Sequence, residues 1–266
     1  MRSTLTFLLF LTLARPALAV DGVLEINQTC AVQTGCFAGD TAGFPVTIDG
    51  SSGKSYRLTS SLIVPDENTN GIDVRAPRVS IDLNGFEIVR SGCEGETLPC
   101  RPESGTGYGI RSAFSPSQDF PGASVTNGSI RGMGADGVRL SNQSKVTDLR
   151  VESNLGNGIR TAGSSLISGN VLKWNGLVGI FVGQGSTVSN NVVNYSEGSG
   201  IDASLGTAVS GNTVIANGHG PTGGYGLNLT PTAAYRGNTI TGNVSGAVLG
   251  GANAGGNVCN GSLTCP

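Results

Sequence analysis

Residues 158–178 read GIRTAGSSLISGNVLKWNGLV, and residues 179–199 read GIFVGQGSTVSNNVVNYSEGS. Set one above the other, they repeat with a period of 21, and the register holds without slippage from 125 to 217. Val125, Val146, Ile167, Val188 and Val209 form one apolar column; Ile130, Val151, Leu172, Val193 and Val214 form a second. Val138, Ile159, Ile180 and Ile201 form a third, each preceded by a glycine: Gly137, Gly158, Gly179 and Gly200. No charged residue stands in any column. Three such columns per repeat predict three short strands per coil, because a solenoid repeat buries its apolar side only by stacking on its neighbours. The 43 glycines, with abundant Asn, Ser and Thr, fit tight turns between those strands. The glycine before each third-column residue is expected to serve backbone conformation at a corner.

Outward from this window the pattern loosens. Gly71-Ile72-Asp73 and Gly109-Ile110-Arg111 restate the Gly-Ile-x element, and strand-like runs begin at Tyr56. Insertions interrupt the early coils at 91–106 and at 112–124, the second containing Pro116 and Pro121 and no clear strand. After Asn217 the register shifts by five, so that Gly200 corresponds to Gly226 and Asn212 to Asn238; the extra residues fall in 218–225. The solenoid is expected over 56–250, with 20–55 and 251–266 as caps over otherwise unpaired strand edges. Asn170, Asn191 and Asn212 share one turn position, and Asn154, Asn175 and Asn217 another. Stacked amides bonding from coil to coil are expected there, with glycan contact as the alternative.

Arg2, the apolar run Leu5–Ala14 and Ala17-Leu18-Ala19 make residues 1–19 a secretory signal, with the mature chain starting near Val20. No later stretch is apolar enough to cross a bilayer, so a secreted or periplasmic protein is expected. Loss of Arg2 and Arg15 would take the formal charge from −2 to −4. With no Lys/Arg run, nucleic acid is excluded as a partner class. An oxidising compartment makes disulfides the default for six cysteines. Cys30/Cys36, Cys93/Cys100 and Cys259/Cys265 are expected to pair locally, since about eight coils at ~4.8 Å hold the ends of a solenoid ~40 Å apart. Zinc is disfavoured: no CxxC occurs and His219 is the single histidine.

Three short strands per coil, with recurring Gly-Asn-x-Val and Asn-Gly-x-Gly-Ile strings, resemble the right-handed parallel β-helix repeat proteins, the pectin-lyase-like superfamily in the broad sense. The resemblance covers about 56–250 and implies an all-β, right-handed parallel β-helix. It does not select an activity, because that superfamily holds polysaccharide lyases, glycosidases, epimerases, phage tailspikes and adhesins.

Strand alternation reads out the outer surface. Beside each Gly-Ile the outward column is Asp73, Arg111, Arg139, Arg160, Phe181, Asp202 and Asn228. Three arginines about 5 Å apart repel one another unless carboxylates or an anionic ligand intervene. Their forks suit the carboxylates or sulfates of an extended acidic polysaccharide; solvated, splayed arginines are the alternative. The neighbouring outward column, Arg131, Glu152, Lys173 and Asn194, alternates in sign and is expected to neutralise itself. Insertions 91–106 (Glu94, Glu96, Arg101, Glu103) and 218–225 (His219) fall at one corner and are expected to wall the arginine stretch. Arg111, Arg139, Arg160, Phe181, Asp202 and His219 are therefore the candidate substrate contacts.

Asp66-x-Asn68-x-Asn70-Gly71 matches half a calcium loop, but Pro77 stands where a bidentate Glu is needed. Calcium is one reading of Asp66, Asn68 and Asn70, an Asp/Asn turn the other; no cofactor is otherwise required. Gly218-His219-Gly220 resembles one motif of the β-helix polygalacturonases, whose Asn-Thr-Asp and Asp-Asp strings are missing. The Trp-x-Asp-His and Arg-x-Pro-x-x-Arg strings of pectate lyases are missing too. Glu197 and Asp202 flank one corner as a conceivable carboxyl pair. A lyase needs a base and a cation facing the uronate, and Lys173 with Arg139 and Arg160 are the candidates, Lys173 and Arg160 being the catalytic pair. Two functions follow: engagement of an acidic polysaccharide, with lyase chemistry as its catalytic form, or a structural or adhesive surface solenoid. No oligomeric state is specified.

Overall fold

The computed structural model describes residues 22–50, 52–95, 99–112, 114–115 and 118–266. The expected signal peptide, Glu96 and Pro116 lie outside them. The chain winds into a parallel β-helix. Nine strands stack in parallel into one sheet, from Val46–Asp49 through Ile159–Thr161 to Gly246–Leu249. A second sheet of seventeen strands takes two segments per coil, such as Leu166–Ser168 and Val171–Lys173. The pairing is in the expected register: Val146 faces Ile167, Val151 faces Leu172, and Ile159 faces Ile180. Every residue of the three columns in 125–217 is fully buried, each contributing about 1.5–3 kcal/mol by leaving water.

Asparagine ladders hold the turns. The Asn170 amide donates to Asn191 Oδ1 (2.9 Å), Asn191 to Asn212, Asn212 to Asn238 and Asn238 to Asn257 (3.0 Å each), all buried. The second ladder runs Asn154 to Asn175 and Asn217 to Asn243; between them stands Ser196, whose backbone N–H donates to Asn217 Oδ1 at 3.0 Å. The structural reading of both columns is the one observed.

The glycine column has another cause than the one expected. Gly137, Gly158, Gly179 and Gly200 do not carry positive φ; the turn glycines that do include Gly169 and Gly211. A Cβ on Gly179 would stand 2.3 Å from Val193 Cγ1 and 2.7 Å from Gly200 O. These glycines are steric: an apolar side chain of the same coil and a carbonyl of the next leave no room for a Cβ.

The ends also differ in detail. Leu24–Ile26 already pairs with Ser55–Leu58, and Val46–Asp49 with Ile72–Arg75, so stacking begins within 20–55. The helix Gln28–Gln33, N-capped by Asn27, covers this end. Its Gln28 side chain accepts from Ile63 N (2.8 Å) and donates to Ile63 O (3.2 Å), satisfying an edge strand. At the other end Ala252–Asn253 and Val258–Cys259 still pair with the preceding coil, beyond residue 250.

The three disulfides are the local pairs expected: Cys30–Cys36, Cys93–Cys100 and Cys259–Cys265, with Cα atoms 4.6, 5.8 and 5.4 Å apart. Cys36 follows the Gln28–Gln33 helix and ties the chain back to Cys30 within it. Its own N–H donates to Asp40 Oδ2 at 2.8 Å, and its side chain is partly buried against the core. The insertion 112–124 contains an antiparallel hairpin, Phe114–Ser115 with Gln118–Asp119, where no strand was expected. Lying off the stacked wall, it escapes the 21-residue pattern. No helix among the described residues is long and apolar enough to cross a membrane.

Candidate functional site

The outward column of the nine-stranded sheet is continuous: Asp73, Arg111, Arg139, Arg160, Phe181, Asp202 and Asn228 are successive pairing partners. Its start is neutralised. Asp73, nearly buried, accepts from Arg111 at 3.0 Å and Arg75 at 3.3 Å. Tyr108, on the approach to this strand, lies beneath both Arg111 and Arg139 (5.4 and 5.5 Å to the ring), and Arg139 donates to its hydroxyl at 2.7 Å. Arg160, exposed, lies over the Phe181 ring at 5.1 Å. The repulsion expected between arginines is thus relieved by aromatic faces as well as by one carboxylate.

Arg139, Arg160 and Phe181 line one open cavity of about 280 Å³ with Asn142, Thr161 and Gln184, and no carboxylate lines it. Its wall is not the one expected. Asp119 of the 114–119 hairpin accepts hydrogen bonds from Ser141 and Asn142, which brings the 112–124 insertion to this edge. Across Phe181 a smaller cavity holds Asp202, Asn228 and Thr230. Burial pushes the Asp202 carboxyl above the ordinary range, an effect partly offset by the Ser199 and Asn228 side chains. Asp202 Oδ1 and Thr230 Oγ1 are buried without a protein partner. The column thus runs from paired charge, through two arginines that form no ion pair among the described residues, to an aromatic ring and two buried oxygens without a protein partner.

The insertions 91–106 and 218–225 do meet at one corner, but around a different cavity. Pro99, Arg101, Trp174, Tyr195, Glu197 and His219 line about 420 Å³ there, within the range of small-molecule sites. Arg101 crosses Gly176, where a Cβ would lie 3.2 Å from its Cδ, and forms an ion pair with Glu197. Gly220 N donates to Glu197 O at 2.9 Å and pins the His219 loop beside it. The His219 and Tyr195 rings stack with centroids 6.4 Å apart. Trp174 and Tyr195 have φ of 57° and 54°, a conformation costing a bulky residue roughly 1–3 kcal/mol. Sequence reasoning missed both rings. The signal was present: they stand one repeat apart, in a turn column that otherwise carries Gly132, Ser153, Ala216 and Gly242.

Several expected groupings do not form. Lys173 does not line the cavity of Arg139 and Arg160; it lies on the other sheet, its ammonium 3.6 Å from the Trp174 ring centroid and 5.7 Å from that of Tyr195. Drawn to those rings, it forms no ion pair with Glu152 among the described residues, and Arg131 lies 3.7 Å from Glu87 of the preceding coil. Lys173 thus leaves the charge ladder for the aromatic rings. Glu197 and Asp202 line separate cavities, and His219 belongs to the aromatic one. Asp66 accepts from Asn68 N (2.8 Å) and Thr69 Oγ1 (2.9 Å), bonds that hold its carboxyl below the usual range. Asn70 donates to Asp73 and accepts from Tyr108 N, while Asn68 Oδ1 accepts from Thr106. These side chains make a closed Asp/Asn turn with one carboxylate. No group of three or more His, Cys, Asp or Glu suited to a metal occurs among the described residues. The cysteines are structural: Cys30, Cys36, Cys93, Cys100, Cys259 and Cys265 are all disulfide-bonded, and none of them lines these three cavities.

No curated protein matches the chain. Among solved structures it is similar to the A-module of a mannuronan C-5 epimerase from Azotobacter vinelandii, at 15% identity, with a TM-score of 0.38, over 88% of this chain and 87% of that one. The pattern of the family described as the right handed beta helix region matches residues 108–262. That match spans more than half of the chain and lies within the stacked coils: the protein belongs to the right-handed β-helix family.

Proposed function

We propose that the protein is an exported β-helix that binds an extended acidic polysaccharide along the outer face of its nine-stranded sheet. The observation that carries this is the cavity shared by Arg139 and Arg160, lined by two guanidinium groups and no carboxylate. Rungs are about 4.8 Å apart, close to the length of a sugar residue, so an axial chain presents its acidic groups to successive coils. Each guanidinium offers forked donors to a carboxylate or sulfate. Phe181 offers an apolar face, and Asp202 with Asn228 accepts sugar hydroxyls beyond it. Arg111, held by Asp73, shapes the trough and contributes little net charge. The three disulfides and the N-terminal signal expected from the sequence support export.

Lyase chemistry with Lys173 as base has no support in this geometry, because Lys173 faces the other corner. A second reading, a structural or adhesive solenoid without a ligand, is favoured by the Tyr108 and Phe181 rings, on which the three arginines already lie. Equilibrium binding of polygalacturonate, alginate and heparin separates the two. The polysaccharide reading expects saturable binding of at least one polymer, weakened by added salt and reduced about tenfold or more in Arg139→Ala/Arg160→Ala. Equal binding by the double variant, or none by the wild type, leaves the structural reading.

A further inference from the structure

The cavity at the opposite corner takes no part in that trough. We propose that it is a second carbohydrate site, which holds a neutral pyranose on Trp174 and Tyr195.

Three consecutive residues depart from the repeat at this place. Tyr195 replaces the small residue of its turn column, Ser196 replaces the ladder asparagine, and Glu197 stands where neighbouring coils carry Leu155, Gly176 and Gly218. The substitution at Ser196 has a structural cost, since its Oγ is buried without a hydrogen-bond partner. Trp174, one coil earlier, sits in the same left-handed position as Tyr195. Both inserted loops converge on these residues from different parts of the chain: Arg101 from one side pairs with Glu197, and His219 from the other stacks on Tyr195. Packing the coils requires none of this.

The chemistry selects the ligand class. A pyranose has an apolar C–H face and a rim of hydroxyls, so it needs an aromatic floor beside polar groups that both donate and accept. Trp174 and Tyr195 supply the floor, Tyr195 being 46% exposed. Arg101, Glu197 and His219 supply the rim. Because Arg101 and Glu197 neutralise each other, this wall offers hydroxyl contacts and adds no net charge of its own, leaving Lys173 as the cation beside the floor. Lys173, over the Trp174 ring, borders the floor and already supplies the cation that an aromatic cage would recognise, which argues against a cationic ligand.

Trp174 is the single tryptophan of the chain, so its emission reports this cavity alone. The full chain is titrated with cellotetraose, mannotetraose and maltotetraose, with tetragalacturonate for comparison. At least one neutral tetrasaccharide is expected to shift Trp174 emission saturably, and tetragalacturonate is not. Tyr195→Ala should weaken that binding about tenfold, Tyr195→Phe by less than about threefold, because the ring and not the hydroxyl forms the floor. Arg139→Ala/Arg160→Ala should leave it unchanged while removing acidic-polymer binding, so the two sites fail separately. The proposal is overturned if no neutral tetrasaccharide shifts the emission. It is also overturned if Tyr195→Ala, with wild-type circular dichroism, binds as well as wild type, or if the arginine double variant loses the neutral ligand.

Discussion

Single residues carry two different kinds of constraint in this molecule. Gly179 is a packing constraint. Its missing Cβ makes room for Val193 of the same coil and the carbonyl of Gly200 on the next. Gly179→Ala should lower unfolding stability by about 1–3 kcal/mol, measured by urea denaturation, whereas a glycine needed only for left-handed backbone would sit at positive φ, which Gly179 does not. Asp202 is a solvation constraint. Its carboxyl titrates above the ordinary range because burial disfavours the charge. The folded form therefore holds its proton to higher pH than the unfolded chain. Stability on this account is greatest below the ordinary carboxylate pKa and falls as pH rises through the elevated one. Asp202→Asn should flatten that part of the stability–pH curve and leave the protein more stable at neutral pH. An unchanged curve in urea titrations from acid to neutral pH would show that Asp202 is not the group responsible.

Elements differ in how legible they were. The coil strands were readable because stacking forces the same residue types to recur at one spacing, so Ile159, Ile180 and Ile201 announce themselves. Asparagine ladders obey the same rule. The outward column was legible as a register, since alternation follows from the inward residues, but its partners were not: Tyr108 lies outside the repeat, and nothing in the spacing aims it at Arg111 and Arg139. Loops follow no period. That is why the hairpin at 114–119 and the reach of Arg101 to Glu197 appear only in three dimensions, and why the walls were assigned to the wrong cavity. The 91–106 loop is held at its base by Cys93–Cys100, with Arg90 donating to Gly132 O at 2.9 Å and Arg131 to Cys93 O at 2.6 Å. Replacing both cysteines by serine should cost about 2–3 kcal/mol for so short a closed loop. It should also release Arg101 from Glu197, raising proteolytic nicking within 91–106 while the stacked coils stay intact. Loss of the whole β-helix signal in circular dichroism would mean that the disulfide holds more than its own loop.

At the scale of the whole molecule, each coil contacts only its neighbours, and stability is a sum of coils and interfaces. Interior coils have a partner on both sides. One end coil relies on the Gln28–Gln33 helix, closed by Cys30–Cys36. The other relies on Cys259–Cys265, where Asn253 and Tyr235 bond to the last two residues. Hydrogen exchange should accordingly be slowest in the strands between Val146 and Val214 and faster toward both ends; uniform protection along the solenoid would contradict a nearest-neighbour account. The same one-dimensional build turns a change on one face into a column, and two faces have been used in this way. One presents guanidinium groups in sequence along the axis, the other a stepped pair of aromatic rings. The central claim, that the arginine column binds an acidic glycan, is tested most directly by a crystal structure grown with tetragalacturonate. The account predicts a sugar carboxylate within hydrogen-bonding distance of both Arg139 and Arg160, with a ring against Phe181. Ligand density confined to any other surface, or none at a concentration that saturates binding in solution, would contradict it.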